Sequence, residues 1–363
     1  MRILFLTDQH LDYAADPLYV GLRRVVGDGM VVDYPYKACF HEIDQLPWYL
    51  VSSPGRSWTR EEILDRLREK YFDLVCLASF RKECLEECAE LYRQAPFPPM
   101  VFIDGSDDAH IRHELTARYP IRVYFKRDYI WKIGSSWKDR MGFLWKFRGD
   151  RELFGRTVPL PLSLVMETLP AFPHIEKNID VSYRGRASHP RRSMAVAILS
   201  RLEGIRFSGG VYASPGDRRY KLKTGGVQRA WTKVFDNRSA PATDQQLKHE
   251  PQAYYRELAA SKIALHVRGG GQTPTLRYFE IVGMGAMLIS DAPEALIPHD
   301  FVDRRHAVYC RSDLRDLESL VRHYIREDAE REAIVSEGQA HLAKYHTCER
   351  RAEYFLDVCA RML

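Results

Sequence analysis

The sequence has no long hydrophobic run, and this limits the class of protein that it can encode. The apolar stretch at residues 3–6 is much shorter than the hydrophobic region of a secretory signal peptide. No stretch approaches the roughly 20 apolar residues of a membrane-spanning helix. With 45% hydrophobic and 28% charged residues, the composition is that of a globular protein in water. We therefore expect a cytoplasmic protein.

Paired cysteines with metal-ligand spacing are also missing. The seven cysteines are odd in number and scattered, and Cys84 and Cys88 have no matching second pair and no histidine cluster beside them. A disulfide scaffold needs an even set of cysteines, and a zinc site needs a second pair or added histidines. We therefore predict reduced thiols and no bound metal.

Internal repeats and low-complexity tracts are absent, and what is present is an alternation of strand-like and helix-like segments. The apolar runs "RILFLT", "DLVCLAS", "PPMVFIDG" and "IRVYFK" are typical of buried strands. Between them, "REEILDRLREKYF", "KECLEECAELYRQ" and "HIRHELTARYP" have helical spacing, with Thr59 as the N-cap of the first. This alternation predicts βαβ units and a parallel sheet.

Prolines interrupt the alternation at residues 157–178, where "TVPLPLSLVMETLPAFPHIEKN" carries four of them. Proline continues neither a helix nor a central strand, so this stretch predicts a linker. The alternation then restarts. A chain of 363 residues commonly forms two domains, since domains contain roughly 100–200 residues. We predict an α/β protein with Rossmann-like, doubly wound domains at residues 1–160 and 179–346, a linker at 161–178, and a cleft between the domains at the strand carboxyl ends.

A glycine-rich loop in the second domain, "HVRGGGQTPTLRYFE" at residues 266–280, points to an anion site. Gly270 and Gly271 let backbone N–H groups approach a ligand closely. Thr273 is a candidate N-cap with Pro274 at the first helical position, and a helix N-terminus suits a phosphate group.

Two charged residues follow this loop. Arg277 can add a bidentate phosphate contact, and Glu280, three residues on, can accept from both hydroxyls of a ribose. The alternative is a flexible turn followed by an exposed Arg–Glu helix pair. The loop is neither a GxGxxG fingerprint nor a Walker loop, because no Lys-Ser/Thr follows the glycines.

The segment "SKIALHVRGGGQTPTLRYFEIVGMGAMLISDAPE" resembles the donor-binding segment of GT-B-fold glycosyltransferases of the "glycosyl transferases group 1" kind, nearest the spore-maturation-type subgroup. In that superfamily a Glu-x7-Glu motif places its second Glu on the donor ribose and its first near the donor sugar. Glu280 matches the second position. Gln272 stands at the first, where it can hydrogen-bond sugar hydroxyls but carries no charge.

A second stretch, "DVSYRGRASHPRR", carries the same resemblance. The superfamily often has Gly-Arg after the first strand of this domain and a Lys about five residues later. Gly185 and Arg186 match the pair, and Arg191 falls at the Lys position. The resemblance implies that these groups stabilise the departing diphosphate. The alternative is a solvated basic turn.

The resemblance implies a GT-B fold and a sugar donor carried on UDP, GDP or dTDP, with no other cofactor. It also implies that a C-terminal helix at residues 347–363 returns to the first domain. We predict a nucleotide-sugar-dependent glycosyltransferase with a hydroxyl acceptor. Two alternatives stay open: a non-catalytic protein that binds sugar nucleotides or glycans, and a glycosyltransferase of modified DNA.

Candidates for the general base lie at strand ends in the first domain. Asp8 and His10 follow the first strand, and "DGSDD" supplies Asp104 and Asp107. A carboxylate or imidazole near an acceptor hydroxyl can remove its proton. The alternatives are turn formation and, for "DGSDD", a Mg²⁺ site.

Residues 124–148 combine eight aromatic side chains with seven Lys or Arg and two Asp. The difference of +5 equals the net charge of the whole chain. Such a stretch can bind an acceptor, contact the inner face of a membrane peripherally, or stack on single-stranded nucleic acid. It can equally fill a domain interface with its aromatic rings. The mild overall charge does not indicate a nucleic-acid partner.

Overall fold

The computed structural model describes residues 1–130, 136–212, 251–269, 271 and 273–363. The chain divides into two compact units. Unit 1 comprises Met1–Thr168, Glu294–Asp300 and Lys344–Leu363, and unit 2 comprises Leu169–Pro293 and Phe301–Ala343. Each unit contains a parallel β-sheet with its own hydrophobic core. The predicted α/β class with two Rossmann-like, parallel-sheet domains is confirmed.

Unit 1 has a six-stranded sheet in the order β2-β1-β3-β4-β5-β6. Every pairing is parallel. The central strands are buried along their length, as expected for a sheet covered on both faces. The strands are β1 (Ile3–Leu6), β2 (Val31–Tyr34), β3 (Leu74–Leu77), β4 (Met100–Asp104), β5 (Ile121–Lys126) and β6 (Thr157–Pro159).

The helices of unit 1 include the last one of the chain. Thr59 caps α3 as predicted: its Oγ1 accepts from the Glu62 amide at 3.2 Å, and Glu62 accepts from the Thr59 amide at 2.8 Å. The helices are α1 (Ala15–Val26), α2 (Ala38–His41), α3 (Arg60–Arg68), α4 (Lys82–Gln94), α5 (His113–Arg118), α6 (Trp137–Trp145), α7 (Arg151–Gly155) and, at the C-terminus, α13 (Cys348–Met362).

The C-terminal helix α13 packs on α1, and a glycine makes this contact close. A Cβ at Gly21 would collide with the carbonyl of Cys348, so only glycine fits at this crossing. Phe355 of α13 also stacks on Phe125 of β5, with ring centroids 4.6 Å apart. The last helix is therefore part of the unit 1 core.

The proline-rich stretch at residues 157–178 is not irregular from its first residue. Residues Thr157–Pro159 form strand β6 at the edge of the unit 1 sheet, paired with β5. An edge strand tolerates proline because one side of its backbone needs no ladder hydrogen bonds. The periodicity also missed α1 and β2. Helix α1 carries Pro17, which is tolerated in the first helical turn.

Unit 2 has a five-stranded parallel sheet in the order β11-β10-β9-β7-β8. Its strands are β7 (Ile179–Arg186), β8 (Phe207–Tyr212), β9 (Ser261–His266), β10 (Met287–Asp291) and β11 (Val308–Cys310). Its described helices are α8 (Pro190–Leu199), α9 (Pro251–Ala259), α10 (Arg277–Gly283), α11 (Leu317–Arg326) and α12 (Asp328–Tyr345).

The start of α10 differs from the prediction. The helix begins at Arg277 with Leu276 at the cap position, and no side chain caps it, so Thr273 is not its N-cap and Pro274 is not its first residue. Backbone bonds from Tyr278 to the Thr275 carbonyl, at 3.1 Å, and from Glu280 to the Leu276 carbonyl, at 3.0 Å, close its first turn. The loop after β9 is consequently longer than expected.

All seven cysteines are buried and unpaired. Within the described ranges, no helix is long and apolar enough to cross a membrane.

Candidate functional site

Two loops meet at the carboxyl edge of the unit 2 sheet. Strands β7 and β9 are hydrogen-bonded neighbours, so the loop from β7 to α8 and the loop from β9 to α10 leave the sheet side by side. Strand β10 pairs with β9 and ends at Asp291 on the same edge. In open α/β sheets, this edge is where ligands bind.

Arg192, a buried residue at the start of α8, ties the two loops together. Its Nε donates to the Val267 carbonyl at 3.1 Å, and its Nη1 donates to the Arg186 carbonyl and the Ser188 hydroxyl, both at 3.0 Å. A Cβ at Gly269 would lie 3.0 Å from Arg192 Nη2, so the glycine leaves room for this guanidinium. Arg192 therefore shapes the site through the backbone of both loops.

Asp291 holds two further arginines beside this edge. Its buried carboxylate accepts from the Arg268 amide at 3.0 Å, and Arg191 Nη1 lies 3.4 Å from its other oxygen. The Arg268 guanidinium is 3.7 Å away. Burial raises the pKa of Asp291, while the Arg268 hydrogen bond and the two guanidinium groups oppose that rise. The predicted phosphate ligand Arg191 thus lies at the loop edge, half-buried.

His266, the last residue of β9, sets the shape of the loop that follows. Its Nε2 accepts from the Thr275 amide at 3.4 Å, and its Nδ1 lies 2.9 Å from the Ser290 hydroxyl, which itself donates to the Asp291 carbonyl. This pattern requires a neutral ring protonated on Nδ1. Burial, with the charges of Arg192 and Arg277, lowers the pKa of His266 well below its usual value.

Glu280 is buried between α10 and α9. The hydroxyls of Tyr254 and Tyr255 donate to its two oxygens at 2.9 and 3.1 Å, and Arg277 Nε donates to the Tyr254 oxygen at 3.3 Å. Burial raises the pKa of Glu280 against the opposing charge of Arg277. The alternative of an exposed Arg–Glu helix pair is therefore wrong. Two of the roughly four acceptor positions of this carboxylate are used by the tyrosines.

Gly185 and Arg186 end strand β7. A Cβ at Gly185 would lie 2.5 Å from the Tyr183 hydroxyl, which explains the glycine by packing alone. That hydroxyl is buried with no hydrogen-bond partner among the described residues, and burial raises the pKa of Tyr183 to about 12. Arg186 is exposed at the strand end.

Of the four remaining residues predicted to bind the donor, two lie in the part of the chain that the structure describes and two lie outside it. Thr273 is buried and Gly271 is half-buried in the loop after β9. Gly270 and Gln272 lie outside the described residues. The position that corresponds to the first Glu of the Glu-x7-Glu motif therefore stays a prediction.

In unit 1, Asp104 is sealed at the end of β4. Its carboxylate is fully buried and accepts from Tyr124 at 2.5 Å, Lys126 at 2.8 Å and the Ser106 hydroxyl at 2.5 Å. Such a carboxylate is an anchor for the strand end and is poorly placed to take a proton from a substrate. Asp107 is exposed and forms an ion pair with Arg127.

Asp8 and His10 form a dyad at the end of β1. The Asp8 carboxylate is buried, and its Oδ1 accepts from the His10 amide at 2.7 Å and lies 3.2 Å from His10 Nδ1. Ser79 donates to the other oxygen. Burial raises the pKa of Asp8, but the hydrogen bonds and the nearby Arg81 outweigh burial and leave that pKa below its usual value. The His10 side chain is 58% exposed, so an oriented imidazole faces solvent.

Sequence reasoning missed the side chains that hold these sites, namely Arg192 as a tie between loops, Asp291, His266, Tyr254 and Tyr255. One signal could have found two of these residues, because His266 and Asp291 each lie at the end of a strand. In the described part of the chain, no group of three or more His, Cys, Asp or Glu side chains is arranged to hold a metal ion.

Comparison with known proteins relates the site to a family. Residues 192–357 match the family described as "Glycosyl transferase-like". These residues include Arg192, the loop after β9, Glu280 and Asp291. No curated protein matches the sequence significantly.

Similarity to solved structures covers nearly the whole chain. Anabaena Alr3699/HepE in complex with UDP is 14% identical, with a TM-score of 0.61 over 99% of this chain and 100% of that one. A glycosyltransferase from Rickettsia africae is 10% identical, with a TM-score of 0.62 over 99% and 98%. Sucrose-phosphate synthase from Thermosynechococcus elongatus is 13% identical, with a TM-score of 0.55 over 99% of each chain. The predicted GT-B fold and the resemblance to group 1 glycosyltransferases are confirmed.

Proposed function

We propose that the protein is a glycosyltransferase that moves a sugar from a nucleotide-diphosphate sugar to a hydroxyl acceptor. The observation that carries this proposal is the junction of two loops at the carboxyl edge of the unit 2 sheet. Arg192 joins these loops inside the region that is glycosyl transferase-like in sequence. The HepE structure, of the same fold, contains UDP, which supports a uridine donor as the first choice for testing.

The diphosphate of the donor would lie on this edge. Arg191 and Arg268 are held side by side by one carboxylate, and Arg186 ends the adjacent strand. Both guanidinium groups lie at the sheet edge, where a diphosphate could accept charge-assisted hydrogen bonds from them. Fixed donors of this kind stabilise the charge that develops on a departing diphosphate. Gly270, Gly271 and Thr273 would contribute backbone or hydroxyl contacts from the loop after β9.

Glu280 would accept hydrogen bonds from the donor ribose. Among the residues that the structure describes, the hydroxyls of Tyr254 and Tyr255 take two of its roughly four acceptor positions, which leaves capacity for sugar hydroxyls. Arg277 donates a hydrogen bond to the Tyr254 hydroxyl oxygen and so fixes this tyrosine beside Glu280. Gln272 would face the donor sugar.

His10 would act as the general base on the acceptor hydroxyl. Among the predicted bases His10 combines exposure with an orienting partner, since Asp8 stays ionised beside its Nδ1 and leaves Nε2 to take a proton. Asp104 is sealed and Asp107 is paired with Arg127, so both are weaker candidates. Asp8 would serve as a positioning residue.

A nucleotide panel tests the donor proposal. We expect UDP, GDP or dTDP to raise the melting temperature of the protein and CMP to do so less, since CMP lacks the diphosphate. Arg191→Ala should weaken binding of the preferred nucleotide about tenfold, as the loss of one charge-assisted contact predicts. Arg315→Ala, an exposed arginine of unit 2, is the matched control and should bind normally. Equal affinities of the two variants would remove Arg191 from the site.

The non-catalytic alternative is favoured by one observation, the Gln at position 272. Turnover separates the two functions. An enzyme should hydrolyse one nucleotide sugar slowly in the absence of acceptor, whereas a binding protein should leave every sugar nucleotide in the panel intact over the same period.

A further inference from the structure

Helix α6 of unit 1 has apolar side chains on two opposite faces. Phe143 is buried, and the nearby Phe147 is buried on the same side. Trp137, Met141 and Trp145, spaced four residues apart, form a stripe on the other side. A helix that covers a core normally presents polar residues to solvent, so this second apolar stripe needs an explanation.

The buried side fixes α6 on the core of unit 1. Phe143 packs edge-on to Tyr129 with centroids 5.0 Å apart, and Phe147 packs against Phe154 at 5.2 Å. His113 also contacts the Lys146 carbonyl through its Nε2 at 2.7 Å. The orientation of the helix is therefore set by its packing, and the outward direction of the stripe follows from it.

The outer side is strongly exposed. Trp137 is 71% exposed, Met141 56% and Trp145 83%, which places two indole rings in solvent within nine residues. We call this stripe, with the exposed cations Lys138 in the helix and Arg148 three residues after its end, the α6 outer face. Scattered single apolar residues are normal on a surface, but a stripe of three on one helix marks an interaction site.

The residue types on the α6 outer face favour a lipid membrane as its partner. Tryptophan prefers the boundary between lipid headgroups and acyl chains, where its ring is apolar and its N–H stays hydrated. Lysine and arginine beside it attract anionic headgroups. One short helix with three apolar side chains is much smaller than the roughly 20–30 residues that each partner contributes to a stable protein interface.

We propose that the α6 outer face binds the surface of a membrane that contains anionic lipids. Trp137, Met141 and Trp145 insert at headgroup depth, and Lys138 and Arg148 pair with lipid phosphates. Weak insertion and weak charge attraction act together, which is the combination that gives stable peripheral binding. This binding goes beyond the proposed sugar transfer and does not depend on it.

Sedimentation with vesicles tests the proposal. The full chain is mixed with vesicles of phosphatidylcholine alone, or of phosphatidylcholine with 30% phosphatidylglycerol, at low and high salt. We expect at least tenfold tighter binding to the anionic vesicles, weakened by salt. The double variant Trp137→Ala, Trp145→Ala should lose at least tenfold of that affinity, and Lys138→Gln about fivefold, as loss of one cation near an anionic surface predicts.

The matched control is Ile43→Ala, which removes an isolated apolar side chain that is 80% exposed in unit 1. This variant should bind anionic vesicles as the unchanged protein does, and thermal unfolding should show that all variants are folded. Equal binding of the double tryptophan variant, or no binding to anionic vesicles at all, would overturn the proposal. So would a concentration-dependent dimer that the double variant abolishes, because the face would then be an interface between two copies. Nucleotide affinity, measured on the same samples, reports separately on the donor site.

Discussion

The two parallel sheets present different chemistry at their carboxyl edges. In unit 1 the edge carries carboxylates, with Asp8 beside an exposed imidazole and Asp104 sealed by Lys126. In unit 2 the edge carries arginines, and the most buried of them, Arg192, is bound mainly by backbone carbonyls. We propose that similar strand-loop-helix geometry supports a proton acceptor in one unit and an anion site in the other, because the side chains at the strand ends differ.

The largest effect is expected at the acidic edge. His10→Ala should lower kcat about 10²–10⁴-fold, which is the usual contribution of a general base. Nucleotide affinity should stay within twofold, because His10 belongs to unit 1 and the donor residues belong to unit 2. Steady-state kinetics and calorimetry measure the two quantities. An unchanged kcat would transfer the role of base to another residue.

A stability effect should distinguish Asp104 from His10. Asp104→Ala leaves Lys126 buried without its carboxylate, which should lower the free energy of unfolding by about 3–5 kcal/mol. Urea unfolding gives this value. Asp107→Ala is the control, since Asp107 is exposed and its loss should cost less than about 1 kcal/mol. Similar losses in the two variants would show that Asp104 is not an anchor.

At the basic edge, Glu280→Ala should weaken nucleotide binding by roughly 1–3 kcal/mol, or about 5- to 150-fold, because the ribose loses its acceptor. Tyr255→Phe keeps the carboxylate and removes one of its existing hydrogen bonds, so its effect on affinity should be smaller. Calorimetry with the preferred nucleotide compares them. Unchanged affinity in Glu280→Ala would reject the ribose assignment.

The smallest expected effect is a loss of folding stability at acidic pH. The pKa of His266 is low in the folded protein and about 6.5 in the unfolded chain, so below that pH the unfolded chain binds the additional proton. Stability that is present above pH ~6.5 is therefore lost as the pH falls, by about 1.4 kcal/mol for each unit until the folded pKa is reached. Unfolding of the protein and of His266→Gln at pH 7.0 and 5.5 measures this slope. The variant should show a shallower dependence, and equal slopes would contradict the assignment.

Much of the fold could be predicted from the sequence because buried parallel strands are written as apolar runs. Strands β1, β3, β4 and β5 and their helices follow from such runs. Strand β2 and helix α1 were not predicted, because "VVDY" is short and α1 contains Pro17 and Gly21. Strand β6 was not predicted either, because proline is read as a break although an edge strand accepts it.

The candidate site was predictable only in outline. Glycines, arginines and Glu280 were located by pattern and by resemblance, but the pattern did not distinguish Arg191 from its neighbour Arg192. The structure separates them: Arg192 is buried and bonds backbone carbonyls, whereas Arg191 reaches the loop edge beside Asp291. Likewise, the acids at the strand ends of unit 1 were equivalent candidates in the sequence. Only the structure shows that Asp104 is fully buried and hydrogen-bonded.

The sequence by itself determined the alternation of strands and helices, the two parallel sheets and the positions of the two loops that we propose bind the donor. It could do so because periodicity and turn residues act over a few positions. The tertiary structure decided which polar side chains are sealed, which are oriented and which face solvent. Those properties depend on partners far apart in the chain, such as Ser79 for Asp8, Val267 for Arg192 and Tyr254 for Glu280. Burial and hydrogen bonding between distant residues arise only when the sheet brings its strand ends together.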